Sequence, residues 1–167
     1  MKFTKVRDVK SPEIAHVGDA GIDFFVPTLT KELILEIQNK SLPCHIYYNE
    51  QNKSLIIWAG QRILIPSGIH VKLQKGMALI AHNKSGIANR LGLDKMAEVV
   101  DEPYQGEVHI SLANNSCESV EITEGMKIIQ FLRIPVFSYP IEEVPTLEEL
   151  YTEESSRGRG GFGSTGI

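Results

Sequence analysis

Residues 107–114, Glu-Val-His-Ile-Ser-Leu-Ala-Asn, constrain the fold more than any other stretch of this chain. In an extended segment Val108, Ile110 and Leu112 share one face, while Glu107, His109 and Ser111 share the other. That period of two describes a half-buried strand, because a helix would scatter the same residues around its axis. Short β-branched or alternating runs recur in QRILIPSGIHVKLQ (61–74), MALIAHN (77–83), SVEIT (119–123) and KIIQFLRIPVF (127–137), each bounded by Gly, Pro, Asn or Ser. The chain therefore reads as an all-β domain of the sandwich or jelly-roll type. Helix is a minor component: TKELILEI (30–37) suits one short helix, and TLEEL (146–150) carries a capping box with Thr146 three residues before Glu149. The stretch CHIYYNEQNKSLIIW (44–58) reads as a β-hairpin around a polar turn, an excursion from the sandwich.

A chain of 167 residues, 42% hydrophobic, is long enough for one domain with a real core. It shows neither an apolar run of membrane-spanning length nor the apolar stretch of a signal peptide, so a soluble, cytoplasmic protein is expected, with no membrane partner. Cys44 and Cys117 lack metal-site spacing and are expected to be buried free thiols. The net charge of −4 argues against a polynucleotide partner but permits a small basic pocket for one anionic ligand.

Polar groups gather at five places. DAGIDFF (19–25) sets two carboxylates around a glycine, the composition of an ordinary turn as much as of a site. HNKSGIANR (82–90) offers the Lys84 charge, the Ser85 hydroxyl and the Gly86 amide at an expected turn; such a set holds phosphate, although a solvated loop has the same composition. Ser85 has neither a nucleophile elbow nor a histidine at a paired spacing. In EVVDEPYQG (98–106), Asp101 follows an apolar strand and precedes a proline turn and Tyr104; it forms a turn or holds a water beside a flat ligand. GMKIIQFLRIP (125–135) has an apolar centre broken by Gln130. RGRGGFGSTGI (157–167) sets glycines around one aromatic, the composition of a flexible end.

Taken in order, A-G-x-D, K-S-G, V-V-D-x-x-Y-x-G, G-x-x-I-x-Q and R-G-x-G-G-F-G-S-T-G resemble the five motifs of the trimeric dUTP nucleotidohydrolase (dUTPase) family, from residue 18 to the C-terminus. The resemblance implies a distorted jelly-roll β-clip over residues 1–151, a homotrimer with shared active sites, and a flexible glycine-rich lid arm over 152–167. It implies hydrolysis of dUTP to dUMP and pyrophosphate, with Asp101 as the base that activates water for attack at the α-phosphorus. Tyr104 matches the ring beneath the deoxyribose. The backbone at Val99 and Val100, with that of a partner strand near His109, would read the uracil edge. Lys84, Ser85 and Gly86 match the phosphate-holding motif, and Gln130 the motif that positions phosphates and water. Asp23 would support a Mg²⁺ carried by the triphosphate, through water. In the arm, Arg157 matches a phosphate ligand, Phe162 a ring stacked on uracil, and Gly163, Ser164 and Thr165 a turn that donates to the terminal phosphates.

Four features depart from that pattern. Lys84 stands where arginine is usual and cannot make a bidentate fork. Glu98 stands where glycine is usual, Met126 and Lys127 stand where Asp and Arg are common, and the 44–58 hairpin lengthens the first gap between motifs. Two alternatives accompany the diphosphatase: a dCTP deaminase of the same fold, and a regulatory relative that uses the nucleotide as a switch to engage a protein partner through the hairpin. The Asp-x-x-Tyr spacing and the glycine-rich lid favour the diphosphatase, as does Ser111 where a deaminase glutamate would be sought.

Overall fold

Eleven strands and three helices are present in the computed structural model, which describes residues 1–156 and Gly158. In chain order they are β1 (Lys2–Lys5), β2 (Ile22–Phe25), α1 (Lys31–Lys40), β3 (Tyr47–Asn49), β4 (Ser54–Ile57), β5 (Arg62–Lys72), β6 (Met77–Asn83) and α2 (Ser85–Leu91). There follow β7 (Leu93–Lys95), β8 (Val99–Val100), β9 (Glu107–Asn114), β10 (Val120–Thr123), β11 (Lys127–Pro135) and α3 (Leu147–Leu150). The strands form three antiparallel sheets, ordered β1-β5-β9-β7, β2-β11-β6-β8 and β10-β4-β3. All of them lie in the compact unit Met1–Phe137; a second unit begins at Ser138 and carries α3, whose N-cap Thr146 accepts from the Glu149 amide. None of the described helices is long and apolar enough to cross a membrane.

The alternation expected of β9 holds: Val108, Ile110 and Leu112 are buried, and Glu107, His109 and Ser111 are half-buried. In β2 all four residues are buried, Asp23 among them, so this strand is covered on both faces. Phe24 on β2 packs against Phe131 on β11 with ring centroids 4.6 Å apart. Such a buried aromatic pair is worth about 0.5–1.5 kcal/mol beyond its area. β5 is bulged between Pro66 and His70, where Gly68 adopts φ +75° and a side chain would start 2.9 Å from Val9 Cγ1. Only glycine combines that backbone with that approach. Thr30 caps α1 by accepting from the Leu33 amide, and the helix buries Leu33, Ile34 and Ile37 before running on to Lys40.

Two expectations are corrected. The hairpin forms, but it is not an excursion: β4 pairs with β3 on one edge and with β10 on the other, and Leu55 and Ile57 are fully buried. Apolar residues on the inward face of β4 give it core area that a projecting arm could not bury. The two thiols are free, but Cys117 is exposed because it sits in the turn between β9 and β10, and Cys44 is only half-buried, its Sγ accepting from the Arg62 amide.

Candidate active site

Three of the motifs meet because β2, β11 and β6 are neighbours. In the ladder Gln130 lies opposite Asp23 on one side and His82 on the other, and Lys84 follows directly after β6. Asp23 is 3% exposed, which is tolerable for a carboxylate only with partners. Lys84 Nζ pairs with its Oδ1, and Lys127 Nζ stands 3.3 Å from Oδ2 while also reaching Glu13 at 3.6 Å. Oδ2 itself meets no donor at hydrogen-bonding geometry, so the Lys127 contact there is ionic rather than directed. Gln130 Nε2 donates to the Asn83 carbonyl at 2.8 Å. Its Oε1 lies over Gly21, where a Cβ would come within 2.1 Å, so any side chain there would have to displace the Gln130 amide.

Ser85 and Gly86 do not sit in a simple turn: they open α2, which ends at Gly92 in the left-handed conformation. Their amides belong to the first turn and have no acceptor within the helix. A cavity of about 460 Å³ is lined by Gly21, Asp23, Lys84 and Gln130, and a second, of about 420 Å³, by Lys84, Ser85, Gly86, Arg90, Lys127 and Gln130. The two share Lys84 and Gln130 and present three cationic side chains, an environment suited to a polyanion. Arg90 and Lys127 are lining residues that the motifs do not assign: α2 carries Arg90 to the cavity, one turn beyond Gly86, and Lys127 opens β11 beside β2.

Asp101 and Tyr104 occupy a different place. Asp101 is exposed just beyond β8, and its carbonyl accepts from the Tyr104 amide at 3.1 Å. The Tyr104 hydroxyl donates to the Glu107 carbonyl at 3.0 Å, and its ring fills the space above Gly106, where a Cβ would stand 2.3 Å from the hydroxyl. Val99, Val100, Asp101, Tyr104 and His109 line a cavity of about 240 Å³. Its wall also includes Glu98, whose carboxylate pairs with Lys95.

The expected pairing of Val99 and Val100 with a strand near His109 is not found. β8 pairs with β6, Val100 opposite Leu79 and Val99 opposite Ile80, and the Ala81 amide extends that ladder to the Glu98 carbonyl. β8 and β9 belong to different sheets, and the cavity opens where a ladder between them would have been. His109 Nδ1 lies 2.8 Å from the Glu107 carbonyl; because a carbonyl only accepts, Nδ1 carries the proton. Nε2 is buried without a partner. Arg157, Phe162, Gly163, Ser164 and Thr165 lie outside the described residues.

The register sets the separation of these two groups. With Val100 opposite Leu79, the antiparallel register continued one residue past β8 brings Asp101 level with Ala78, six residues along the chain from Lys84, which follows β6. At about 3.3 Å per residue that is roughly 20 Å of backbone.

Glu107 joins the loop to the rest of the sheet, and its charge state is set by its partners. Burial acts to raise its carboxyl, but hydrogen bonds from Arg7 and the Gly68 amide, with the charges of Arg7 and His109, outweigh burial and hold it below its ordinary 4.5. A carboxyl lowered in the folded state contributes stability that is complete above its unfolded value and is lost as pH falls through the folded one. The stability difference between wild type and Glu107→Gln, read from urea midpoints, should thus be constant well above the carboxyl's ordinary 4.5 and shrink as the pH falls below it. A difference that does not change with pH would remove Glu107 from the acid response.

The family model described as dUTPase matches residues 45–166. A deoxyuridine 5'-triphosphate nucleotidohydrolase of Clostridium acetobutylicum is 32% identical over 170 residues, covering 100% of this chain and 97% of that protein. One from Gloeothece citriformis is 35% identical with the same coverage of both. Among solved structures, a dUTPase of Staphylococcus bacteriophage 80alpha, determined with dUpNHpp, superposes with a TM-score of 0.76 at 17% identity, covering 99% of this chain and 98% of that one. A dUTPase of phage phi11 of S. aureus, described for its coordination of a structural Mg(II) ion, superposes at 0.67 with 17% identity, covering 88% and 97%.

Proposed function

The chain belongs to the dUTPase family and hydrolyses dUTP to dUMP and pyrophosphate, and from that premise we propose how its residues divide the work. Asp101 accepts a hydrogen bond from water, orients it toward the α-phosphorus and takes its proton as the new P–O bond forms. The bond from the α-phosphorus to the bridging oxygen breaks, and pyrophosphate leaves with that oxygen. A carboxylate in this role acts chiefly by positioning, since its proton affinity is small. Lys84, the Ser85 hydroxyl and the Gly86 amide hold phosphate oxygens and offset the charge that develops on them. Gln130, fixed by Asn83, orients phosphate and water. Asp101 and Lys84 act in one site only when supplied by different copies of the chain, and a closed three-fold assembly provides this three times over. The β6–β8 register, which puts roughly 20 Å of β6 backbone between them within one chain, is the observation that supports the reading.

Tyr104 lies beneath the deoxyribose and leaves no room for a 2′-hydroxyl, while the backbone at Val99, Val100 and His109 reads the uracil edge across the gap between the sheets. Tyr104→Ala should reduce the preference for dUTP over UTP by about 1–3 kcal/mol, measured as the ratio of kcat/KM values. An unchanged ratio would mean that another group excludes the ribose. The residues also fit a Mg²⁺ brought in by the triphosphate: among the described residues no cluster of three ligating side chains forms a cage, and the buried, undonated Asp23 Oδ2 is a hard acceptor for a metal-bound water. When bound, the ion neutralises phosphate charge. Arg157, Phe162, Gly163, Ser164 and Thr165 close the nucleotide in as an arm over residues 152–167.

Incubation with each deoxynucleoside triphosphate and Mg²⁺, followed by product identification, tests the activity directly. Only dUTP should be consumed, with dUMP and pyrophosphate in equal amounts. Ammonia release from dCTP would overturn it in favour of a deaminase.

A further inference from the structure

The loop that carries Asp101 and Tyr104 is fastened by groups that belong to none of the five motifs. Glu107 is the centre of that fastening. Its carbonyl accepts from the Tyr104 hydroxyl at 3.0 Å and from His109 Nδ1 at 2.8 Å. Its carboxylate accepts a fork from Arg7, Nε at 2.8 Å and Nη2 at 3.0 Å, together with the Gly68 amide at 2.6 Å. Arg7 is braced in turn by Glu36 on α1 at 2.8 Å. The Glu107 side chain is only 13% exposed, so these charge-assisted bonds work where water screens them weakly. The bulge at Gly68 is part of the same arrangement, since its left-handed backbone is stacked against Val9 and Arg7 and its amide is given to Glu107.

We propose that Arg7 and Glu107 are a positioning pair for sugar discrimination. The fork fixes the Glu107 backbone, the Glu107 carbonyl holds the phenol, and the phenol sets the height of the Tyr104 ring against the sugar. The inference rests on Tyr104 being the ring beneath the deoxyribose. A ring held at its hydroxyl end resists displacement by a 2′-hydroxyl, whereas a ring released there yields by the few tenths of an ångström that a ribonucleotide needs. Neither residue touches substrate; both act through Tyr104.

The test compares kcat/KM for dUTP and UTP in full-length wild type, Glu107→Gln, Arg7→Lys, Glu36→Gln and Tyr104→Ala. Glu107→Gln keeps the size of the side chain but turns an amino group toward Arg7, and should lower the dUTP-to-UTP ratio by about 5- to 10-fold. Combined with Tyr104→Ala it should lower the ratio no further than Tyr104→Ala alone, because both changes act on one ring. Arg7→Lys keeps a cation but loses the fork, and should shift the ratio in the same direction by less. Glu36→Gln leaves the Glu107 fork intact and should leave the ratio unchanged. A purely structural role would depress both substrates equally, so a wild-type ratio in Glu107→Gln and Arg7→Lys, with a lowered ratio in Tyr104→Ala, overturns the positioning pair alone. A wild-type ratio in Tyr104→Ala overturns the placement of Tyr104 and the pair with it. Should Glu107→Gln not fold, Arg7→Lys decides.

Discussion

Asp101→Asn should lose dUTP hydrolysis by about 10²–10⁴-fold, the usual contribution of one positioned acid or base. The substitution removes the lone pair that takes the proton but keeps the size and polarity of the side chain. Asp101 is exposed beyond β8, so no core contact is lost with it. Binding of a non-hydrolysable dUTP analogue should consequently stay within about threefold of wild type, the pattern of an interaction made only in the transition state. Calorimetric titration beside a pyrophosphate-release assay checks both halves. If binding and rate fell together, Asp101 would be a nucleotide ligand and the base would have to be sought elsewhere.

The second large effect is a recovery of activity. Lys84→Gln removes a phosphate-facing charge and puts a shorter amide donor in place of the Nζ that pairs with Asp23 Oδ1. Losing that charge should lower turnover about 10- to 100-fold, the scale of one hydrogen bond to an ionised group. When Lys84→Gln and Asp101→Asn chains are refolded together in equal amounts, a site drawing its base from one chain and its phosphate cradle from another finds both intact in roughly a quarter of cases. Activity near a quarter of wild type should then emerge from two nearly inactive parents. Were base and cradle to come from the same chain, every site would carry one lesion and the mixture would stay as inactive as its parents, provided subunit exchange is demonstrated. That outcome would contradict the separation read from the β6–β8 register.

The members of the site were legible in the sequence to different depths. Lys84, Gln130 and Asp23 were identified by motif, but their mutual arrangement was not, because it depends on β11 lying between β2 and β6. The partner of Val99 and Val100 was misjudged for the same kind of reason. Two valines ask only for a β edge, and whether that edge belongs to β6 or to β9 is settled by how the sheets pack around the core. Ser85 and Gly86 read as a loop because α2 buries none of its residues and so leaves no apolar stripe in the sequence. The Arg7–Glu107 fork joins residues 100 positions apart, with no local pattern to announce it.

What the sequence determined by itself is whatever a period, a breaker or a motif can encode within a few residues. The face of β9 that enters the core, the cap of α1 at Thr30, and the residue types needed to hold phosphate and orient water all belong to that class, since backbone geometry and side-chain chemistry act locally. Tertiary structure alone decided what depends on distant segments meeting. It buried Asp23 between two lysines, drew the hairpin into a sheet with β10, and set Asp101 roughly 20 Å along β6 from Lys84. The physical reason is that strand pairing is satisfied by any edge with free backbone groups, so the choice among edges falls to the burial and packing of the whole chain, and with it the distances on which the chemistry depends.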